Sequence, residues 1–290
     1  GIDKGNVDSA KLMQELNHAI SLIYSGTNIP RSVVLTAERA AIQLFSSEIL
    51  AARSGLVNDL LEISNSDGEL GSTLLGRARQ YSRPIIAGLQ VAADLKNLIG
   101  QTGYFAELAE SLEARILGGR VHVGEYGEVN YAPSGGESTI RIEMSASIIK
   151  SLASLVFYLR HQSRKGDVLI IDEPELNLHP ENQRKLGRFL CELANAGLDI
   201  IISTHSDYII REVNNLILLN KPSLAGVKTR NDYTDAELIA PEHVSVVLFN
   251  HEGLPDQLEV GPEGFAVASI DDEIARMNRI ASEIMLESEE

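Results

Sequence analysis

Asp172 and Glu173 stand side by side after four apolar residues, Val168-Leu-Ile-Ile, three of them β-branched. Such a run reads as a strand buried on both faces, delivering two carboxylates to its C-terminal edge. Open α/β sheets bind ligands at that edge. The pair suits a Mg-nucleotide site: one acid holds the cation, directly or through water, and the second orients an attacking water. A buried strand that ends in a single acid is common. One that closes in Asp172-Glu173-Pro174-Glu175 is a much narrower pattern.

A second apolar run, Asp199-Ile-Ile-Ile-Ser203, ends in Thr204-His205-Ser206. Between the two runs, Leu186, Phe189, Leu190 and Leu193 recur at helical spacing, and Gly197 stops the helix. Strand, helix and strand then close as a right-handed parallel unit. Asp172, Glu173 and His205 thereby share one rim. A lone His after a strand is ordinarily a polar loop residue; beside an acidic pair it becomes a candidate γ-phosphate sensor.

Ile170-Ile-Asp172-Glu173 resembles the Walker B motif of ABC-type ATPases, Glu175-Leu-Asn177-Leu-His179-Pro180 their D-loop, and Ser203-Thr204-His205-Ser206 their switch-histidine loop. The combination is most similar to the non-transporter branch: OLD-type ATPases, the related "AAA ATP-binding" proteins and, further off, RecF and SMC. It is specific over residues 140–220. Thr36-Ala-Glu38-Arg39, after an extended Ser32-Val-Val-Leu, looks like the "PAER" element these proteins carry before a helical arm. Val244-Ser-Val-Val-Leu-Phe and Ile270-Asp-Asp-Glu-Ile resemble their closing strand and helix.

The resemblance implies an α/β fold, the C-terminal lobe of an ABC-type P-loop NTPase with a parallel-sheet core and a helical arm. It implies ATP and Mg²⁺ as cofactors and a homodimer closed around nucleotide, with a protein partner or DNA engaged through the full-length complex. Asp172 would be the metal residue, Glu173 and His205 catalytic, and Asn177 would touch nucleotide. ABC ATPases also complete each site with a signature serine from the partner subunit. Met144-Ser145-Ala146-Ser147-Ile148 sits in the expected place, between an extended Ile140-Arg-Ile-Glu-Met and a helix through Leu152, Leu155 and Leu159, but matches Leu-Ser-Gly-Gly-Gln only at the serine. Local chemistry leaves two readings of Ser145 and Ser147 open, phosphate donors or a plain N-cap; the resemblance favours phosphate.

No Gly-x-x-x-x-Gly-Lys-Ser/Thr segment occurs. Because the chain reaches the Thr36-to-Arg39 element so early, the expectation is a C-terminal part of a longer protein whose phosphate-cradling half lies upstream. A natural protein that lost the loop and kept the fold as a non-catalytic scaffold is the alternative. Joint presence of Glu173 and His205 favours turnover. An OLD-type nuclease would need a further acidic domain after the ATPase, and the residues beyond His205 lack a convincing set of acids.

The 290 residues are 44% apolar, enough for a sizeable core. No signal-type segment or membrane-length run is present, and a cytoplasmic protein is expected. A net charge of −16, from 25 basic and 41 acidic residues, argues against a broad phosphate-backbone surface. Small basic patches remain at Arg77, Arg79 and Arg83, and at Arg160, His161, Arg164 and Lys165. Cys191 is expected to be a buried spectator thiol. His179 is expected to shape the turn into the next helix; Glu38 and Arg39 either pair with each other or join the active site, with the structural ion pair the favoured reading. Asp271, Asp272 and Glu273 are expected to favour a helix macrodipole.

Apolar spacing marks helices through Leu12–Ile23, Leu44–Leu50, Ile85–Leu95 and Leu108–Ile116, and antiparallel strands begin at Gly119. The expected organisation is a mostly helical region over 1–118 with a short strand near 32–36, the ATPase lobe over 119–240, and closing strands and a helix over 241–290.

Overall fold

The computed structural model describes residues 30–46, 48–49, 81–125, 127–136, 138–249 and 255–288. The expected helix at Leu12–Ile23, the end of the one near Leu50, and Arg77 and Arg79 lie outside them.

A parallel sheet carries the acidic pair. Strand β5 (Val168–Asp172) lies between β1 (Ser32–Leu35) and β6 (Asp199–Ser203), parallel to both. The register aligns Val33, Leu169 and Ile200 in one row and Leu35, Ile171 and Ile202 in another, on the face toward the core. On the opposite face Val34 and Ile170 are half-buried and Ile201 is 55% exposed. The expectation of burial on both faces therefore holds for one face only. The described helices α3 (Ser147–Phe157) and α4 (Pro180–Asn195) put their apolar residues into the same cluster as Leu169 and Ile171.

A second, antiparallel sheet joins β2 (Gly119–Val123), β3 (Val129–Pro133) and β4 (Ile140–Arg141) in that order. The extended stretch expected through Met144 stops early: Ile142–Met144 forms a 3₁₀ turn, which buries Ile142 and aims the chain into α3. After α1 (Arg83–Ala93), the main core runs from Leu95 to Leu198 and takes in Phe105, Ala109 and Leu112, the last two from helix α2 (Ala106–Leu112). Helices at 95–117 and the sheet thus share one interior. The α/β class with a parallel-sheet core and added helices is the one expected.

Arg160 belongs to that interior and not to a basic patch. Its guanidinium pairs with Glu113 and donates to the Val121 carbonyl at 2.7 Å. Glu113 in turn accepts from the Val121 N–H at 2.6 Å. A charge this buried persists only with such partners.

Beyond β6, helix α5 (Asp207–Leu218) packs on α4. The closing strand β7 (Val246–Leu248) pairs antiparallel with β8 (Asp256–Leu258) in a separate sheet, not with the parallel one. Helix α6 (Ala268–Ser288) follows, with Asp271 in its first turn, 3.1 Å from Arg211 of α5. No described helix is long and apolar enough to cross a membrane.

Candidate functional site

Parallel pairing of β5 with β6 places Asp172 opposite Ser203, and the Ser203 hydroxyl donates to the Asp172 carboxylate. The next residue, Glu173, leaves the strand in a left-handed conformation, φ 44°. For a residue with a Cβ that backbone is strained by about 1–2 kcal/mol. Its backbone bonds hold it: its N–H donates to the Ser203 carbonyl at 3.0 Å, and its own carbonyl accepts from Arg39 at 2.9 Å and from the Leu176 N–H at 3.1 Å. Glu175 reaches across to β6, where one carboxylate oxygen accepts the His205 N–H at 2.8 Å. Its second oxygen is buried with no hydrogen-bond partner. Asp172, Glu173 and His205 thus share one rim, as the spacing predicts. The Asp172 and His205 side chains are exposed there, and Glu173 is partly so.

Arg39 is placed otherwise than expected. Only 3% exposed, it forms no ion pair with Glu38. Its donors go to five carbonyl oxygens: Thr36 at 3.3 Å, Ser151 at 3.0 Å, Asp172 at 2.8 Å, Glu173 at 2.9 Å and Pro174 at 3.2 Å. The fork geometry of a guanidinium permits this, and an ion pair with the neighbouring residue would forfeit it. Burial lowers its pKa, opposed by the charges of Glu175, Asp172 and Glu173.

Asn177 is the loop's second left-handed residue, φ 63°. Its amide donates to the Ser151 hydroxyl at 3.2 Å, so part of its hydrogen-bonding capacity is spent inside the subunit. His179 takes the plain role: it is the N-cap of α4, and its ring nitrogen accepts from the Glu181 N–H at 3.4 Å. Ser206 likewise caps α5 and donates to Gln183, tying the switch-like loop to α4.

Ser145 does not cap α3; that position is Ala146, which supplies no side-chain bond. The Ser145 hydroxyl instead donates to the Ile142 carbonyl at 2.7 Å, closing the 3₁₀ turn. Ser147 opens the helix and is exposed, and no side chain caps the first turn, where the Ile149 N–H donates to the Ala146 carbonyl at 3.0 Å. Ser145 and Ser147 do not join the Asp172 rim. The link from α3 to that rim runs through Ser151, one turn further on.

Among the described residues no group of three or more His, Cys, Asp or Glu is placed to hold a metal ion. Mg²⁺ keeps several waters and takes one or two carboxylates together with substrate phosphates, and Asp172 offers a hard oxygen at the sheet edge. The sequence holds no Gly-x-x-x-x-Gly-Lys-Ser/Thr phosphate loop.

Sequence reasoning missed Glu175 as the support of His205, and Ser203 and Ser151 as supports of the acidic loop; for Arg39 it favoured an ion pair with Glu38 over a place in the site. Glu175, Ser203 and Arg39 lie inside the motifs, where their positions could have suggested a role, whereas Ser151 lies outside them.

Residues 73–210 match the family described as "AAA ATPase domain", a span that includes Ser145, Ser147, Asp172, Glu173, Asn177 and His205. Over 135 residues the chain is 29% identical to the energy-coupling factor transporter ATP-binding protein EcfA of Methanothermobacter thermautotrophicus, covering 45% of this chain and 39% of that protein. The chain thus spans about two-fifths of that curated relative. A solved structure described under ATP-driven dimerization and DNA-stimulated activation of SMC ATPases aligns at 15% identity with a TM-score of 0.36, covering 64% of this chain and 94% of that one. The SMC head domain of Thermotoga maritima aligns at 15% identity with a TM-score of 0.29, over 42% and 44% of the two chains. Over its matched segment the chain is similar to ATPase domains of the ABC and AAA kind.

Proposed function

We propose that this chain is the acidic-edge lobe of an ABC-type ATPase, in which two subunits close around ATP and hydrolysis reopens them. The observation that carries the reading is the Asp172-Glu173 pair at the end of β5, bonded to Ser203 and, through Glu175, to the backbone of His205. Mg²⁺ supplies charge neutralisation to the phosphates when bound. Asp172 holds the cation, directly or through water. Glu173 orients water and draws off its proton. His205 donates to the terminal phosphate. Ser145, Ser147 and the uncapped N–H groups of α3 serve the nucleotide of the other subunit, and Asn177 stands at the seam between them. Such an engine drives or licenses a partner. We extend the proposal to a task in DNA repair or phage defence, with DNA or a protein as that partner.

The test is Glu173→Gln in the full-length protein. Removing the charge leaves Asp172 and its cation in place, so ATP binding is expected to persist while turnover falls by about 100-fold or more. The ATP-bound dimer should then accumulate in size-exclusion chromatography. Near-parental turnover rejects the role given to Glu173.

A further inference from the structure

We infer that Arg39 is a positioning residue that makes the acidic loop 172–177 and helix α3 move as one body, so that a displacement at Ser145 and Ser147 reaches Glu173. The use made of this coupling rests on the nucleotide reading above; the coupling itself stands on geometry.

Arg39 spends its donors on carbonyls from three separate pieces of chain: Thr36 after β1, Ser151 within α3, and the consecutive Asp172, Glu173 and Pro174. No carboxylate bonds it directly, so the buried charge is stabilised by these dipoles. Moving any one piece alone leaves that charge short of acceptors in a water-poor interior. Ser151 is also the meeting point of a second tie, because its hydroxyl accepts from Asn177 at 3.2 Å. One residue of α3 therefore grips the loop near both ends. Those ends are its two strained positions, Glu173 at φ 44° and Asn177 at φ 63°. A loop strained at both ends has less costly local alternatives, and the clamp selects this one. Ser147 precedes Ser151 by about 6 Å along the helix axis. A ligand that shifts the start of α3 thus acts on the backbone of Glu173 through a guanidinium.

Hydrogen exchange tests the coupling without nucleotide. The reporters are the N–H groups of Glu173, Leu176 and Leu178, which donate to the carbonyls of Ser203, Glu173 and Glu175 at 3.0, 3.1 and 3.0 Å. Arg39→Lys offers one ammonium in place of the fork and should speed their exchange at least about tenfold. Ser151→Ala, a change on α3, should speed the same amides measurably. The β5 amides of Leu169 and Ile171 should stay protected in both variants. Unchanged loop exchange in either variant overturns the inference, as does uniform acceleration that includes β5. In the full-length protein, Arg39→Lys should lower kcat by about 100-fold at unaltered nucleotide affinity. Parallel losses of kcat and affinity would leave Arg39 a purely structural role and also overturn it. If the unsubstituted protein neither binds nor hydrolyses ATP, the nucleotide reading fails, and the exchange result still decides the coupling.

Discussion

Glu173 combines an unbonded carboxylate with a backbone that costs energy, and the two can be separated. Replacing it with glycine removes the charge and relieves the left-handed strain, φ 44°. The expected result is a fold more stable by about 1 kcal/mol, measured by urea melts, together with lost turnover in the full-length protein. A loss of stability would show that the side chain supports the fold. Cys191 behaves oppositely, as a residue with no site role. Burial, with Glu212 and Glu237 nearby, pushes its thiol up to about 12. At pH 8 a disulfide reagent should therefore label the native protein about a thousandfold more slowly than the urea-unfolded chain. Comparable rates would mean that the helix pair α4 and α5 opens readily.

Elements are held at the foot of the parallel sheet by a buried carboxylate. Asp167 accepts from Arg31 Nε at 2.9 Å, Tyr158 at 3.0 Å and the Arg164 N–H at 2.9 Å. Arg31 precedes β1 and Asp167 precedes β5, so the pair fixes where the two strands enter. Burial alone would raise the Asp167 pKa; the Arg31 guanidinium, the Arg164 N–H and the Tyr158 hydroxyl outweigh it and hold the carboxyl below its ordinary value. A depressed folded-state pKa contributes stability that is present above the ordinary carboxylate value near 4 and is lost as pH falls through the folded value. Asp167→Asn should cost about 3 kcal/mol at pH 7, and the gap from the parent should close as the pH is taken below about 4. Urea midpoints across that range give the measurement. A gap independent of pH would place the stabilisation in packing and not in the charge.

At the scale of the whole molecule, the described residues provide an acidic edge and a helix start but no phosphate-cradling lysine loop. The 290-residue chain should therefore bind Mg-ATP weakly, and micromolar binding by calorimetry would contradict the incomplete-site reading. Whether the site is shared between subunits is decided by mixing full-length variants. Ser145→Arg should bind ATP in its own half-site yet fail to close the dimer. Combined with a variant defective in the phosphate loop, it should recover part of the activity, because one of the two composite sites is then intact. Zero activity at every mixing ratio, with heterodimers present, would reject sharing.

Much of this was legible in the residues alone. Apolar runs ending in Asp172-Glu173 and in Ser203-Thr204-His205 can pair only as parallel strands across an amphipathic helix, which sets both ends on one rim. Leu186, Phe189, Leu190 and Leu193 face the core as their spacing requires, because helical periodicity is a local property. What the tertiary structure decided involves partners distant in sequence. Arg39 reads locally as a neighbour of Glu38, yet it bonds carbonyls more than 100 residues away. A carbonyl leaves no trace in a side-chain pattern. Arg160 reads as part of a basic run and turns inward because Glu113 and Val121 await it there. Periodicity gives the two faces of β5 but not which helices arrive to cover them. Spacing thus determines the acidic edge, whereas backbone acceptors brought together only by folding determine how that edge is held.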